Sequence, residues 1–233
     1  MLAASVAVLC AGCRRPPADD GREAVNIPNA APAPPSPTPK PEEADLSLAT
    51  AVVRILSSAH RTGSVIERAQ CGPHGAMVPT HLFPPTIKLE PLDQALQEIT
   101  QRYPEIRWNE AARGHVNVKD TSIHGSLLQV RIKEFFVVED RPPRAALDAL
   151  WQSEEVMAYL KQHHVRTTRH SELVGVARNS TPQVLHMKNA SVQEILDRIV
   201  DSYMGENGNS LHNVWIYREC RLGGETFAEI RVL

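Results

Sequence analysis

Cysteine and histidine are the residues in this chain with the most chemistry to offer, and there are 4 and 10 of them. Cys71-Gly72-Pro73-His74 puts a thiol three residues from an imidazole, close enough for a base to activate a thiolate. A Cys-Gly-Pro turn serves structure as readily, and no third group that would orient the base can be identified. Cys10-x-x-Cys13 has the spacing of redox and haem-attachment motifs. Residue 14 is Arg where a c-type haem site requires His, and no strand–helix unit surrounds the pair. His163 and His164 are adjacent, hence about 100° apart on a helix, and His170 lies almost two turns further on. They form no zinc-type pattern. After Lys161 they suit a helix C-terminus, where positive charge is favourable. Glu154 and Glu155 diverge on a helix and make no acid/base pair. No nucleophile elbow, Ser-x-x-Lys setting, Walker or Rossmann glycine pattern occurs. No catalytic residue, metal site or cofactor is therefore expected. The enzymatic alternative, thiol-dependent or hydrolytic, rests on Cys71 and His74.

Composition narrows the setting. The 233 residues carry 25 Lys+Arg against 27 Asp+Glu, a net charge of −2 that leaves no footprint for nucleic acid. No apolar run reaches the ~18–20 residues of a spanning helix. With 42% hydrophobic residues the chain can bury a sizeable core. Aromatic residues at only 5% and 18 prolines indicate that part of it is not globular.

That part is the beginning. Met1 to Leu9 are apolar apart from Ser5, and Ala11-Gly12-Cys13 follows. This run resembles the end of a bacterial lipoprotein signal peptide. The resemblance implies that the Cys13 thiol is acylated and becomes the mature N-terminus. It places the protein, lipid-anchored, on the periplasmic side of a bacterial membrane. Residues 14–45 hold nine prolines, seven of them between Pro28 and Pro41. Such a run has little to bury and stays extended. At ~3.1 Å per residue, its 14 residues span roughly 40 Å as a semi-rigid tether.

The folded region is expected over 46–233. Leu92, Ala95, Leu96, Ile99 and Tyr103 recur as Val192, Ile195, Leu196, Ile199 and Tyr203, offset by 100 throughout. Pro143, Ala146, Leu147 and Leu150 fall between them, and each set lines one stripe of a helix. Pro91 and Pro142-Pro143 suit first turns, and Ser191-Val-Gln-Glu194 is a capping box. Extended segments precede the helices at Ile87–Leu89, Phe135–Val138 and Val184–Met187. Others follow at Ile106–Trp108, His115–Val118 and Val214–Tyr217. The chain closes as a hairpin of Trp215–Arg218 with Phe227–Leu233 around Gly223-Gly224. The expected fold class is α+β: about three repeated β-loop-α units over 86–233, forming a small sheet covered by helices. A helical segment over 46–80 precedes them, with a helix pair from Leu48 to Ala69 broken near Gly63.

The segments from Ile87 to Ile99 and from Val184 to Leu196 resemble the secretin and TonB N-terminus (STN) domain. Its pattern is a strand, a short loop with Asn or Pro, then a helix whose Ala/Ile-Leu pair faces the sheet. There are three units here where that domain has two. The resemblance implies a periplasmic α+β module that contacts other proteins through sheet edges and helix faces, with no catalytic residues.

With Cys10 and Cys13 in the leader, Cys71 and Cys220 remain, and an even pair in an oxidising compartment points to a disulfide. Its loop of roughly 150 residues is worth about 4–5 kcal/mol in the chain-entropy model. The expected function is thus a non-catalytic, membrane-tethered interaction lipoprotein that binds an envelope partner, as part of a secretion or transport assembly. The contact is expected by strand addition at an exposed edge, Phe227–Leu233, including Phe227 and Ile230 and anchored by Trp215 and Tyr217. A small-ligand sensor, with its pocket between the sheet and Leu48–Ala69, is a further alternative.

Overall fold

The computed structural model describes residues 45–111, 114–139, 144–167, 183–202 and 214–233. The leader with Cys13, most of the tether, Pro142-Pro143, His170 and Tyr203 lie outside these residues.

In chain order the elements are β1 (Leu46–Ser47), α1 (Leu48–Ser58), β2 (Gly63–Cys71), β3 (Met77–Pro79), β4 (Leu82–Phe83) and α2 (Leu92–Arg102). Then come β5 (Ile106–Glu110), β6 (Val116–Asp120), β7 (Arg131–Glu139), α3 (Arg144–Gln152), α4 (Glu154–Gln162) and β8 (Val165–Thr167). The chain finishes with β9 (Gln183–Ser191), α5 (Val192–Ser202), β10 (Val214–Leu222) and β11 (Glu225–Val232). The class is α+β, as expected.

A mixed seven-stranded sheet organises the described residues in the order β5–β6–β2–β10–β11–β8, with β3 paired to the far end of β2. Strand β2 is its centre, parallel to β6 on one side and to β10 on the other. Strands β7 and β9 form a separate antiparallel ribbon, and β1 pairs with β4.

Alternation along β2 divides its side chains between two cores. Val65 faces a core built with Val214, Ile216, Val116 and Val118, covered by α1 and α2. Ile66 faces the other, built with Trp215, Tyr217 and Ile230 and covered by α3, α5 and the inner face of the ribbon. The two helices whose stripes repeat at an offset of 100 thus cover opposite faces. Ala95, Leu96 and Ile99 of α2 are fully buried on one, and Ile195, Leu196 and Ile199 of α5 on the other.

Local signals account for most boundaries. The Ser47 hydroxyl accepts the Thr50 amide to start α1. At α5 the capping box forms in full: the Ser191 amide donates to Glu194 at 2.6 Å, and the Glu194 amide to the Ser191 hydroxyl at 3.2 Å. Gly223 and Gly224, both at positive φ, make the two-residue hairpin turn between β10 and β11.

Two expectations are corrected. The segment from Leu48 to Ala69 is one helix followed by the central strand, not a helix pair. Val65 and Ile66 are β-branched and enter opposite cores, and the buried polar Ser64 and Glu67 beside them erase the alternation that would announce a strand. Ile87–Leu89 is irregular, and the strand ahead of α2 is instead β4. The prolines at 84 and 85 leave few amides there for a ladder.

Gly63 starts β2 where nothing larger fits: a Cβ would lie 2.4 Å from Leu56 Cδ1 and 2.5 Å from the Val116 carbonyl oxygen. Gly63→Ala is expected to destabilise the fold by about 1–3 kcal/mol through overpacking, read as a lower urea midpoint at unchanged m-value.

Candidate functional site

The parallel trio β6–β2–β10 has two ends, and both carry charged clusters.

At the amino end, His115 precedes β6, Thr62 precedes β2, and Asp197 and Asp201 lie one turn apart on α5. His115 is buried. Its Nε2 lies 3.0 Å from Asp197 Oδ1 and its Nδ1 3.4 Å from Asp201 Oδ1. Thr62 Oγ1 sits 3.2 Å from His115 Nδ1 and donates to Asp201 at 2.9 Å. The Trp215 indole N–H donates to Asp197 at 2.7 Å. A hydroxyl, an imidazole and a carboxylate in sequence look like nucleophilic machinery, but the electrostatics oppose it. Burial pulls the imidazole's pKa down, yet the hydrogen bonds and charges of Asp197 and Asp201 outweigh it and raise the value from 6.5 to about 9. At neutral pH His115 is an imidazolium with no lone pair to accept a proton, and the Thr62 proton is already given to Asp201. This cluster clamps α5 to the sheet.

Between the two ends lies a buried row of charge on the α1/α2 face. Arg218 Nε donates to Glu67. Arg218 Nη1 lies 3.6 Å from Glu229 Oε2, and Arg231 Nη2 lies 2.7 Å from Glu229 Oε1. Glu67, Arg218 and Glu229 are register neighbours on three adjacent strands. Burial raises the Glu67 carboxyl above the usual range, against the downward pull of Arg218. Sliding any of the three strands by one residue would separate these charges, so the row opposes a change of register.

At the carboxyl end a cleft of about 960 Å³ opens beyond β2, β6 and β10. Chain leaving β2 goes on to β4 and α2 over one face, whereas chain leaving β6 passes through Ile123, Leu127 and Leu128 to the other. Adjacent strands whose continuations diverge to opposite faces leave a crevice between them, the usual place for ligands in sheets with parallel strands. One wall carries His81, Tyr103 and Glu105, and the buried Asp120. His81 is buried, with Nε2 3.0 Å from Glu105 and 4.0 Å from Asp120, and Nδ1 3.2 Å from the Thr80 hydroxyl. The Glu105 carboxyl is held below its usual range by its own backbone amide and by the hydrogen bond with His81. The opposite wall carries Arg68, Glu219 and Arg221. The Tyr217 hydroxyl donates to Glu219 at 2.8 Å.

The same cleft is bounded by Cys71 and Cys220. Their sulfurs are at disulfide distance and their Cα atoms 5.4 Å apart, joining the ends of β2 and β10 across 149 residues of sequence. They tie two neighbouring strands of the sheet together. With its sulfur against Cys220, Cys71 offers no thiolate to the enzymatic alternative. No family model, curated protein or solved structure matches this chain. The site therefore rests on its geometry.

The expected exposure of the docking anchors is corrected. Trp215 and Tyr217 are fully buried, under α5 and against Glu219, and Ile230 is buried in the same core. Phe227 is half-buried, its ring so close to Gly75 that a Cβ there would meet it at 2.6 Å. Strand β11 is flanked by β10 and by β8, which pairs with Thr226–Ala228. An alternating strand beside a two-glycine hairpin reads as an edge in sequence; in three dimensions β8 occupies that edge at Thr226–Ala228, and the Trp215, Tyr217 and Ile230 side chains are covered from the α5 side. His163 caps α4 with its ring stacked 4.3 Å from Tyr159. Leu48, Val52, Ile55 and Leu56 are fully buried against the sheet, so the helical part of Leu48–Ala69 packs on it directly. Sequence reading missed the His115 cluster and the cleft. The available signal was polar residues bunched toward the carboxyl ends of strands, as in Asp120-Thr-Ser and Arg218-Glu-Cys-Arg221.

Two outcomes follow. Peptide mapping of the full chain without reductant is expected to yield a linked Cys71–Cys220 pair, and replacing both by Ala to lower stability by about 2–5 kcal/mol. For His115, the folded pKa exceeds the unfolded one, so its contribution is complete below pH 6.5 and lost as pH rises through about 9. Urea unfolding between pH 6 and 10 should show wild type losing on the order of 3 kcal/mol that His115→Gln never had.

Proposed function

We propose that this protein is a non-catalytic, membrane-tethered interaction module of the bacterial envelope, held through Cys13 and docking an envelope protein on the β7–β9 ribbon. The observation that carries this is the ribbon's outer face. Val138 and Val184 are register partners, and Phe136 lies beside His186. Phe136, Val138 and Val184 are each about 60% exposed (59%, 61% and 59%). The inner face of the same ribbon, Phe135, Val137 and Leu185, is buried in the core. A single domain seldom leaves one side of a strand pair this apolar without a use for it. Glu134, His186 and Lys188 border the patch with charge of both signs, the pattern of an apolar centre with a polar rim. The occupant is a partner that brings an extended apolar segment, in the manner of strand-based recognition.

The leader, the tether and the likeness to STN modules support the same reading, and the protonated His115 and engaged Cys71 supply no activated nucleophile. Among the described residues no helix is long and apolar enough to cross a membrane. Attachment in this reading is by the lipid on Cys13.

The test is in-cell photocrosslinking with the reactive group at Val184 or, as a control, at the exposed Glu98 of α2. The expected result is one discrete product with another envelope protein from position 184 only. It should fall about tenfold in Phe136→Ser/Val138→Ser and also fall in Cys13→Ala. Equal products from both positions, a product containing only a second copy of the chain, or none would overturn the proposal.

A further inference from the structure

The carboxyl-end cleft has a distribution of charge that specifies a ligand. Its β4/β5 wall is acidic. Glu105 is ionised and 42% exposed at the side chain, and the buried Asp120 lies 4.0 Å from the same His81 nitrogen, Nε2. Two carboxyl groups face one imidazole nitrogen there, and no Lys or Arg lines this wall among the described residues. The β2/β10 wall is basic. Arg68 and Arg221 both line the cleft and are exposed, and among the described residues neither guanidinium has an ion-pair partner. Glu219, the register neighbour of Arg68, is engaged by the Tyr217 hydroxyl. Burial and the Glu219 charge push the Tyr217 phenol's pKa up, so that hydroxyl keeps its proton and goes on donating.

A purely anionic ligand would meet the Glu105 pole, and a purely cationic one the arginines. A ligand with both charges, one at each end, satisfies both walls. The cleft, at about 960 Å³, lies near the top of the roughly 300–1,000 Å³ range of pockets for drug-sized ligands. That is room for several residues rather than a single amino acid. We propose that the cleft beyond β2, β6 and β10 binds a short zwitterionic peptide, its carboxylate held by Arg68 and Arg221 and its ammonium by Glu105. Guanidinium offers bidentate donors to a carboxylate, and the Glu105 oxygens can accept from an ammonium while one of them keeps its bond to His81. A protein terminus presents only one of the two charged ends, so the geometry selects a free peptide. The site lies on the main sheet and does not depend on the ribbon reading.

Isothermal titration of the purified full chain tests this with trialanine, its N-acetyl form, its C-terminal amide, the doubly blocked form, glutarate and putrescine. Trialanine is expected to bind saturably. Each single block should weaken binding about tenfold, and the double block should abolish it. Arg221→Gln and Glu105→Gln should each weaken trialanine about tenfold. Arg221 is exposed, and the side-chain amide in Glu105→Gln retains an acceptor for His81, so thermal unfolding of both variants should match wild type. Phe136→Ser/Val138→Ser should bind trialanine as wild type does, which separates this site from partner docking. No saturable heat with trialanine, equal binding of the doubly blocked form, glutarate or putrescine binding as well as trialanine, or two folded variants with unchanged affinity would overturn the assignment.

Discussion

Parallel pairing of β2 with both β6 and β10 is the constraint from which the rest of the architecture follows. Parallel neighbours cannot be joined by a tight turn, so the chain must travel between them along the faces of the sheet. It does so once on each side. The route from β2 to β6 lays α2 over one face, and the route into β10 lays α5 over the other. Strand β2 is buried on both sides as a result, and Gly63 is required where α1 and β6 close on its first residue. The crevice at the carboxyl end is the geometric remainder of the same arrangement, since continuations that diverge cannot fill the space between them.

Charge is used differently along that axis. At the amino end an imidazolium sits between two carboxylates of one helix and locks α5 onto the strands. In the middle, Glu67, Arg218 and Glu229 form a lateral row whose members are distant in sequence. Buried ion pairs are costly to desolvate and add little net stability, while breaking one is expensive. Their service here is to make every alternative register worse. At the carboxyl end the arginines are left without partners among the described residues while the acids are held in place. That contrast separates a binding surface from a structural one. The disulfide-distance pair Cys71 and Cys220 joins the strands at the mouth of the cleft and holds its basic wall together.

The proposed roles divide between two surfaces. The ribbon projects an apolar face from the α3/α5 side of the domain, suited to a macromolecular partner. The cleft is polar, concave and of a size for a small molecule. A tethered module with both could answer to a soluble ligand while attached to an assembly.

Without tertiary structure, the sequence determined the α+β class, the helical stripes, the capping box at Ser191 and Glu194 and the terminal hairpin, and it left Cys71 and Cys220 as the pair expected to meet. All of these are local patterns or simple counts: a 3.6-residue period, a cap, a pair of glycines, an even number of thiols. Tertiary structure alone decided that 63–71 is the central strand, that α2 and α5 lie on opposite faces, and that Trp215, Tyr217 and Ile230 are covered while Phe136, Val138 and Val184 are not. An alternating strand announces which residues share a face but not which face meets another layer. That depends on strands far away in the chain, as in the pairings of Thr62 with His115 and of Glu67 with Arg218. For the same reason the His115 clamp and the cleft are invisible in sequence: each gathers residues from strand ends that only the parallel sheet brings side by side.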